Sequence, residues 1–278
     1  MYSIGWFSTA KGPGSRNLLT AVQKSIESGE VKARISFAFV SREPGESTET
    51  DKFIELAGSY QIPVVCYSYK RYRRAHQKAS EDETGFPEWR LGYDREVMRL
   101  LADFPKPDLN MLAGYMLIVG PEMCTRYNMV NLHPAAPDGP SGTWQEVIWH
   151  LINAGASSSG VMTHLVTPEL DQGPVVSYCR FPIRHAYQFD QYWRDNEGLC
   201  SDDIKAGEGE HNRLFREIRR HGAVRELPLI VSTVKAFSDG ILNISDGQIY
   251  DTQGVLTTGY DLSEQIDRLV KAELDGAA

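Results

Sequence analysis

The chain has 278 residues, a formal charge of −8, 41% hydrophobic residues and 24% charged ones. That is enough sequence for one extended α/β domain with a sizeable core. The acidic surplus argues against a nucleic-acid binder. No apolar run reaches bilayer length and no basic-then-apolar leader opens the chain, so the expectation is a cytoplasmic protein that does not engage membranes. Cys66, Cys124, Cys179 and Cys200 are scattered without a C-x-x-C pair, which suggests reduced thiols and no metal site.

In chain order, Tyr2 to Ser8 is short, aromatic and β-branched and reads as a first strand. Thr9 to Asn17 is a glycine-bearing turn, and Leu18 to Ile26 has apolar residues at helical spacing. A helix start after such a loop offers free N–H groups to a phosphate. The third glycine of a dinucleotide fingerprint is replaced by Asn17, and a plain connecting turn fits equally well. Ala33 to Val40 is a second strand, Phe53 to Tyr60 a helix and Ile62 to Cys66 a third strand. From Tyr67 to Glu88 the pattern lapses into a basic run (Lys70, Arg71, Arg73, Arg74, Lys78) answered by Glu81, Asp82 and Glu83. It reads as a solvated insertion, or else as a flap that attracts an anionic ligand tail.

Arg90 to Leu101 is an amphipathic helix, and Asp108 to Met116 a buried strand running into a loop. Asn131-Leu132-His133-Pro134 ends the next strand, Pro134 to Gly142 is a loop, and Thr143 to Ala154 a helix. Val161 to Val166 and Val175 to Pro182 are two more strands. Strand–helix alternation of this kind predicts an α/β fold: a mostly parallel, doubly wound, Rossmann-like sheet with helices on both faces. His185 to Gly207 reads as an extended connector, and Glu210 to Ser238 as one helix or two, bent near Gly222 or Pro228. Ile241 to Ile244 and Gln248 to Asp251, framed by Asp-Gly turns, suggest a C-terminal hairpin before a last helix from Leu262 to Leu274.

On a strand, positions 131 and 133 point to the same side. An amide supplies N–H donors to an oxyanion, and an imidazole donates when charged and accepts when neutral. The segment from Ser159 to Asp171 brings a carboxylate that would orient such an imidazole, raise its pKa and serve as a base. The set suits attack of an amine on an acyl carbon through a tetrahedral intermediate. No G-x-S-x-G elbow or Cys beside a His is present, so direct transfer fits better than an acyl-enzyme. From spacing alone, a lone His near a strand end is more often a hydrogen-bonded structural residue.

Leu112-Ala113-Gly114-Tyr115-Met116, Asn131-Leu132-His133-Pro134 and His164 to Asp171 with Gly173-Pro174 resemble the folate-dependent formyltransferases. Arg90-x-x-Tyr93-Asp94-Arg95-Glu96 fits a helix start of that family, and the likeness extends over nearly the whole chain. It implies a single formyltransferase domain over 1–278, with an insertion at about 67–89 and a C-terminal helix and hairpin extension at about 184–278. It also implies transfer of a formyl group from 10-formyltetrahydrofolate, as co-substrate and without a metal, to a primary amine. Asn131 would bind the formyl oxygen, His133 would stabilise the oxyanion and share in proton transfer, and Asp171 would support His133 and take the amine proton. His164 would orient the aspartate. Gly14, Ser15, Arg16 and Asn17 would hold an acceptor phosphate. Arg90, Met116, Leu117, Ile118 and Val119, with Val166 and Leu170, would line the folate pocket.

The expected acceptor is glycinamide ribonucleotide of purine biosynthesis. Alternatives are another amine, a sugar nucleotide, or water in a formyltetrahydrofolate hydrolase; a non-enzymatic folate or nucleotide sensor is the third class. Hydrolase relatives usually carry an N-terminal regulatory domain, and a first strand opening at Tyr2 is not expected to leave room for one. Expected partners are small molecules, in a monomer or homodimer. The loop after Pro134, the extra residue beside Arg16 and the long insertion depart from the family pattern, so the donor half of the site is the better supported. Arg216, Arg219 and Arg220 are further candidates for phosphate contacts.

Overall fold

The computed structural model describes residues 1–76 and 88–275. In chain order these form β1 (Tyr2–Ser8), α1 (Pro13–Glu27), β2 (Ala33–Val40), α2 (Thr48–Ser59), β3 (Val64–Cys66), α3 (Tyr69–His76), α4 (Glu88–Leu100), β4 (Leu109–Leu112), α5 (Pro121–Arg126) and β5 (Met129–His133). There follow α6 (Trp144–Asn153), β6 (Ser158–Leu165), β7 (Val175–Pro182), α7 (Phe189–Asp195), α8 (Ser201–Gly207), α9 (Arg213–Ser238), β8 (Leu242–Ser245), β9 (Gln248–Asp251), β10 (Tyr260–Asp261) and α10 (Ser263–Asp275).

Eight strands make one sheet in the order β10-β7-β6-β5-β4-β1-β2-β3. β1 lies between β2 and β4 and is parallel to both, and β3 and β5 extend this parallel half. β6 is antiparallel to β5 and to β7, and β10 runs parallel to β7. The sheet is therefore mostly parallel, as the strand–helix alternation predicts. Alternation along β1 sends Ile4 and Trp6 to one face and Phe7 to the other. The first face is covered by α1, α2 and the second half of α9, through Leu19, Phe53 and Val234 among others. The second is covered by α4 and α5, through Tyr93, Val97 and Met123. Strand order, not strand direction, reverses between β1 and β4, so the connections leaving these two parallel strands diverge and open a crevice at the strand ends.

Several boundaries differ from those the sequence suggests, each for a local reason. α1 starts at Pro13, which suits the first helical position because its missing N–H needs no partner there. The expected loop thus ends at Gly12, and Gly14 to Asn17 lie in the first helical turn. α2 begins earlier than Phe53, because the Ser47 side chain caps it by accepting from Thr50 N. The supposed insertion opens as helix α3, whose Tyr72 packs against Tyr93 of α4. Lys78, Glu81, Asp82 and Glu83 lie outside the described residues. A short helix, α5, joins β4 to β5. The expected connector from His185 to Gly207 instead holds α7 and α8, whose Phe189, Tyr192 and Ile204 are buried against α6 and the start of α9.

α9 is one helix of 26 residues that runs through Pro228. An interior proline costs about 3 kcal/mol. Burial of Leu229, Ile230, Val234 and Phe237 on the sheet offsets it, at roughly 1.5–3 kcal/mol for each large apolar side chain. The predicted hairpin forms as β8 and β9. Among the described residues no helix is long and apolar enough to cross a membrane.

Candidate active site

Asn131 and His133 stand two residues apart near the end of β5 and share a face. Antiparallel pairing sets His164 of β6 directly opposite Asn131. The Asn131 amide nitrogen lies 3.2 Å from His164 Nε2. The two imidazoles meet edge to face with ring centroids 6.0 Å apart. Asp171 comes from the loop between β6 and β7: its Oδ1 is 3.4 Å from His164 Nε2 and its Oδ2 is 3.7 Å from His133 Nδ1. The structure therefore gathers all four residues expected to carry the chemistry into one cluster. Both imidazoles are buried, and the Asp171 side chain is only 9% exposed.

Asp171 adopts φ +54°, a left-handed conformation uncommon outside glycine and most tolerable for Asn and Asp. Strained backbone of this kind collects at functional sites. Gly173 makes the turn possible, since a Cβ there would lie 1.8 Å from the Leu165 carbonyl oxygen. That carbonyl also accepts from His164 Nδ1 at 3.1 Å, so the turn and the imidazole share one anchor.

The hydrogen-bond partners fix much of the proton inventory. His133 Nε2 is 3.0 Å from the Pro140 carbonyl oxygen, which can only accept, so this nitrogen carries hydrogen. Nδ1 then faces the Asp171 carboxylate and meets it favourably only by sharing a proton. Burial pushes the His133 pKa down; the Pro140 carbonyl and the Asp171 charge oppose this, and the net shift stays below the ordinary value. Burial alone would raise the Asp171 carboxyl, but His164, His133 and the Gly142 N–H outweigh it and hold the carboxyl below its ordinary range. A carboxylate stabilised as an anion beside an imidazole whose charging burial opposes and that carboxylate favours is a proton-handling pair. Asn131 can answer His164 Nε2 with N–H when that ring is neutral and with C=O when it is protonated.

An apolar wall flanks the cluster. β4 leaves the sheet through Gly114 at φ +69°, where a Cβ would lie 2.9 Å from Ser15 Oγ. Met116 N–H then donates to Thr9 Oγ1 at 2.8 Å, which pins the loop after β1 to the loop after β4. Met116 is 51% exposed and Ile118 44%, while Leu117 is partly buried and Val119 buried. Leu170, 47% exposed, and partly buried Val166 come from the segment leading to Asp171. Exposed apolar side chains beside a polar cluster suit a flat hydrophobic ligand. Arg90 is buried in α4 and bonded through Nη1 to Asp94, and its Nε and Nη2 have no hydrogen-bond partner.

The helix start expected to hold a phosphate has a different character. No acidic residue occupies the first turn of α1. Gly14 and Asn17 are exposed, and Ser15 is buried. The Arg16 guanidinium, however, is taken by the Glu49 carboxylate at 2.6 Å, and Lys52 lies 3.1 Å from the same carboxylate. Of the three α9 arginines expected to add phosphate contacts, Arg219 pairs with Glu226 and Arg220 with Glu217, and Arg216 is exposed.

Sequence reasoning did not single out Pro140, Gly142 or Leu165, which act through backbone groups and leave no side-chain signal. Asp94 was also missed, although its spacing of four from Arg90 on one helix was a usable signal. Among the described residues no group of three His, Cys, Asp or Glu is arranged to hold a metal ion. A pocket of about 280 Å³ lined by Phe7, Phe37, Phe104, Asn110 and Tyr127 lies at the opposite ends of the strands, and none of the cluster residues lines it.

A family model described as formyl transferase matches residues 47–196. Phosphoribosylglycinamide formyltransferase of Haemophilus influenzae is 35% identical over 250 residues, 88% of this chain and 92% of that protein. The enzyme of that name from Escherichia coli is 32% identical over 178 residues, 63% of this chain and 70% of that protein. A formyltetrahydrofolate deformylase of H. influenzae is 23% identical over 146 residues, 52% of this chain and 46% of that protein. Among solved structures, phosphoribosylglycinamide formyltransferase from Coxiella burnetii covers 94% of this chain and 98% of its own, with a TM-score of 0.66 at 18% identity. At that identity the likeness is one of fold.

Proposed function

The chain belongs to the formyl transferase family, and we propose that it moves the formyl group of 10-formyltetrahydrofolate to the primary amine of phosphoribosylglycinamide (glycinamide ribonucleotide), a step of purine biosynthesis. The observation that carries this is the cluster itself: Asp171 lies within 3.4 Å of His164 and 3.7 Å of His133, with Asn131 bonded to His164. The acceptor assignment draws on the relative that matches 92% of its own length.

In this mechanism the amine attacks the formyl carbon and its oxygen becomes an oxyanion. Asn131 N–H and the charged imidazole of His133 stabilise that oxygen. Asp171 accepts the proton that the attacking amine loses, directly or through a water. Collapse of the tetrahedral intermediate expels the donor nitrogen, which takes up a proton from the imidazolium, and the formamide product departs. The His133 N–H now held by Pro140 must be shared with the oxyanion or released to it. The exposed wall at Met116 and Ile118, with Leu170 and buried Arg90, supports placing the folate there. The α1 start supports a phosphate through its N–H groups, while Glu49 offsets the Arg16 charge.

The test is a formyl-transfer assay with 10-formyltetrahydrofolate across phosphoribosylglycinamide, unphosphorylated glycinamide riboside, simple amines and sugar-nucleotide amines, with water alone as control. Turnover with phosphoribosylglycinamide at least a hundredfold above the others is expected. Formate release at the same rate without any amine would overturn the acceptor and make water the substrate.

A further inference from the structure

Asp94 is 1% exposed, and both its oxygens are used. Oδ1 bonds Arg90 Nη1 within α4. Oδ2 accepts from Gly120 N at 2.7 Å. Gly120 closes the apolar segment that begins at Met116 and precedes α5. One carboxylate therefore ties the buried guanidinium of α4 to the far end of the apolar segment. Arg90 is 4% exposed, yet its Nε and Nη2 are buried without a partner. The Tyr115 hydroxyl is buried beside the guanidinium. Leaving such donors unpaired costs free energy that a native protein seldom accepts without a use. The Nε–Nη2 edge presents two parallel N–H groups, the geometry that meets two oxygens of a planar anion.

We propose that Asp94 is a positioning residue for the folate donor: by holding Nη1 it sets the orientation of the unpaired Nε–Nη2 edge of Arg90 for the donor, and by holding Gly120 it sets where the wall ends. This rests on the placement of the donor against Arg90 and Met116 to Val119. Asp94 touches no reacting atom, so its effect falls on donor affinity and leaves chemistry alone. An arginine without this anchor keeps its charge and loses its orientation, which is where its binding contribution lies.

The test compares Arg90→Met, Asp94→Asn and the double variant with the wild type. Calorimetric affinity for tetrahydrofolate and steady-state constants with 10-formyltetrahydrofolate are both measured. Asp94→Asn should weaken tetrahydrofolate binding and raise the donor KM by about ten- to a hundredfold, the span expected for charge-assisted hydrogen bonds. kcat and the acceptor KM should stay within about twofold, a split that general loosening of the fold would not give. The double variant should bind no more weakly than Arg90→Met alone, because both changes remove one interaction. If Arg90→Met weakens donor binding and Asp94→Asn does not, the role of Asp94 is refuted and the donor placement stands. If Arg90→Met itself leaves donor binding unchanged, the placement fails and the proposal fails with it. Should Asp94→Asn not fold, Asp94→Glu keeps the buried charge while displacing it by one methylene. Wild-type affinity for tetrahydrofolate in that variant would likewise overturn the proposal.

Discussion

Replacing Asp171 with asparagine removes one charge and one proton acceptor while keeping the shape of the turn. The carboxylate oxygen lies 3.7 Å from His133 Nδ1, with both side chains largely shielded from water. At an effective dielectric of about 20, two unit charges at that distance interact by roughly 4 kcal/mol, and screening on the exposed edge reduces this to about 2–3 kcal/mol. That corresponds to about a hundredfold in the population of imidazolium at neutral pH. Loss of a positioned base costs on the order of 10²–10⁴ in rate, and the two effects overlap because one group supplies both. Single-turnover formyl transfer should therefore fall by about 10²–10⁴, with tetrahydrofolate affinity within about twofold. The pH profile supplies a second check. The Asp171 charge raises the His133 pKa, so its removal lowers it further. Activity that needs the imidazolium is lost as pH rises through that pKa, and in the variant this limb should move to lower pH by one to two units. Single-turnover activity within about threefold of wild type, with an unmoved limb, would take Asp171 out of the mechanism.

Four further substitutions test other parts of the structure. Arg16→Ala should raise the acceptor KM by about tenfold and leave the donor KM unchanged, whereas Glu49→Gln, which frees the guanidinium, should lower the acceptor KM; no movement in either variant would remove Arg16 from the phosphate site. Gly173→Ala drives a Cβ into the Leu165 carbonyl that anchors His164, so kcat should fall by about 10² through misplacement of about 1 Å, and wild-type kcat would show that the turn yields without disturbing the cluster. His221 is 1% exposed, and burial, with Arg225 and Arg220 nearby, pushes its pKa down to about 3. Between the ordinary value near 6.5 and that pH the unfolded chain takes up a proton that the folded one refuses, so stability falls as pH falls through the window, by about 2 kcal/mol at pH 5 relative to pH 7. Urea unfolding of His221→Phe should show that much less acid sensitivity, and an equal loss in both proteins would assign the acid lability to other groups.

The parts of the fold that were legible in the sequence are those whose burial is periodic. β1, β2 and β7 alternate or run apolar, and α6 and α10 carry a clear apolar stripe. α3 hides because it has no buried residue: its tyrosines, an Arg71–Glu43 ion pair and Arg73 over Trp89 tie it down without leaving an apolar stripe. α7 and α8 are each seven residues long, too short to show a period, and they are helical because the aromatic cluster of α6 and α9 gives them a surface to cover. α9 reads as breakable at Pro228, yet tertiary burial on both sides of the proline keeps it whole.

The two halves of the candidate site differ in how far local sequence can reach. Asn131, His133, His164 and Asp171 converge because β5 and β6 are antiparallel neighbours, and a strand register fixes which side chains face one another once the pairing is known. A period of two and one tight turn at Gly173 are local facts, so the constellation could be anticipated before the pairing was seen. The acceptor half depends on a contact across 33 residues: Arg16 looks like a spare cation at a helix start until Glu49 of α2 is found beside it. Once that charge is offset, the anion preference of the α1 start rests on its N–H groups and dipole, with Arg16 as a guanidinium to be won from Glu49. An acceptor phosphate has to compete with a carboxylate already in place, whereas the unpaired edge of Arg90 faces no such rival. That asymmetry predicts an acceptor KM more sensitive to salt and to Glu49 than the donor KM is, since a partly exposed ion pair is screened and a buried guanidinium is not.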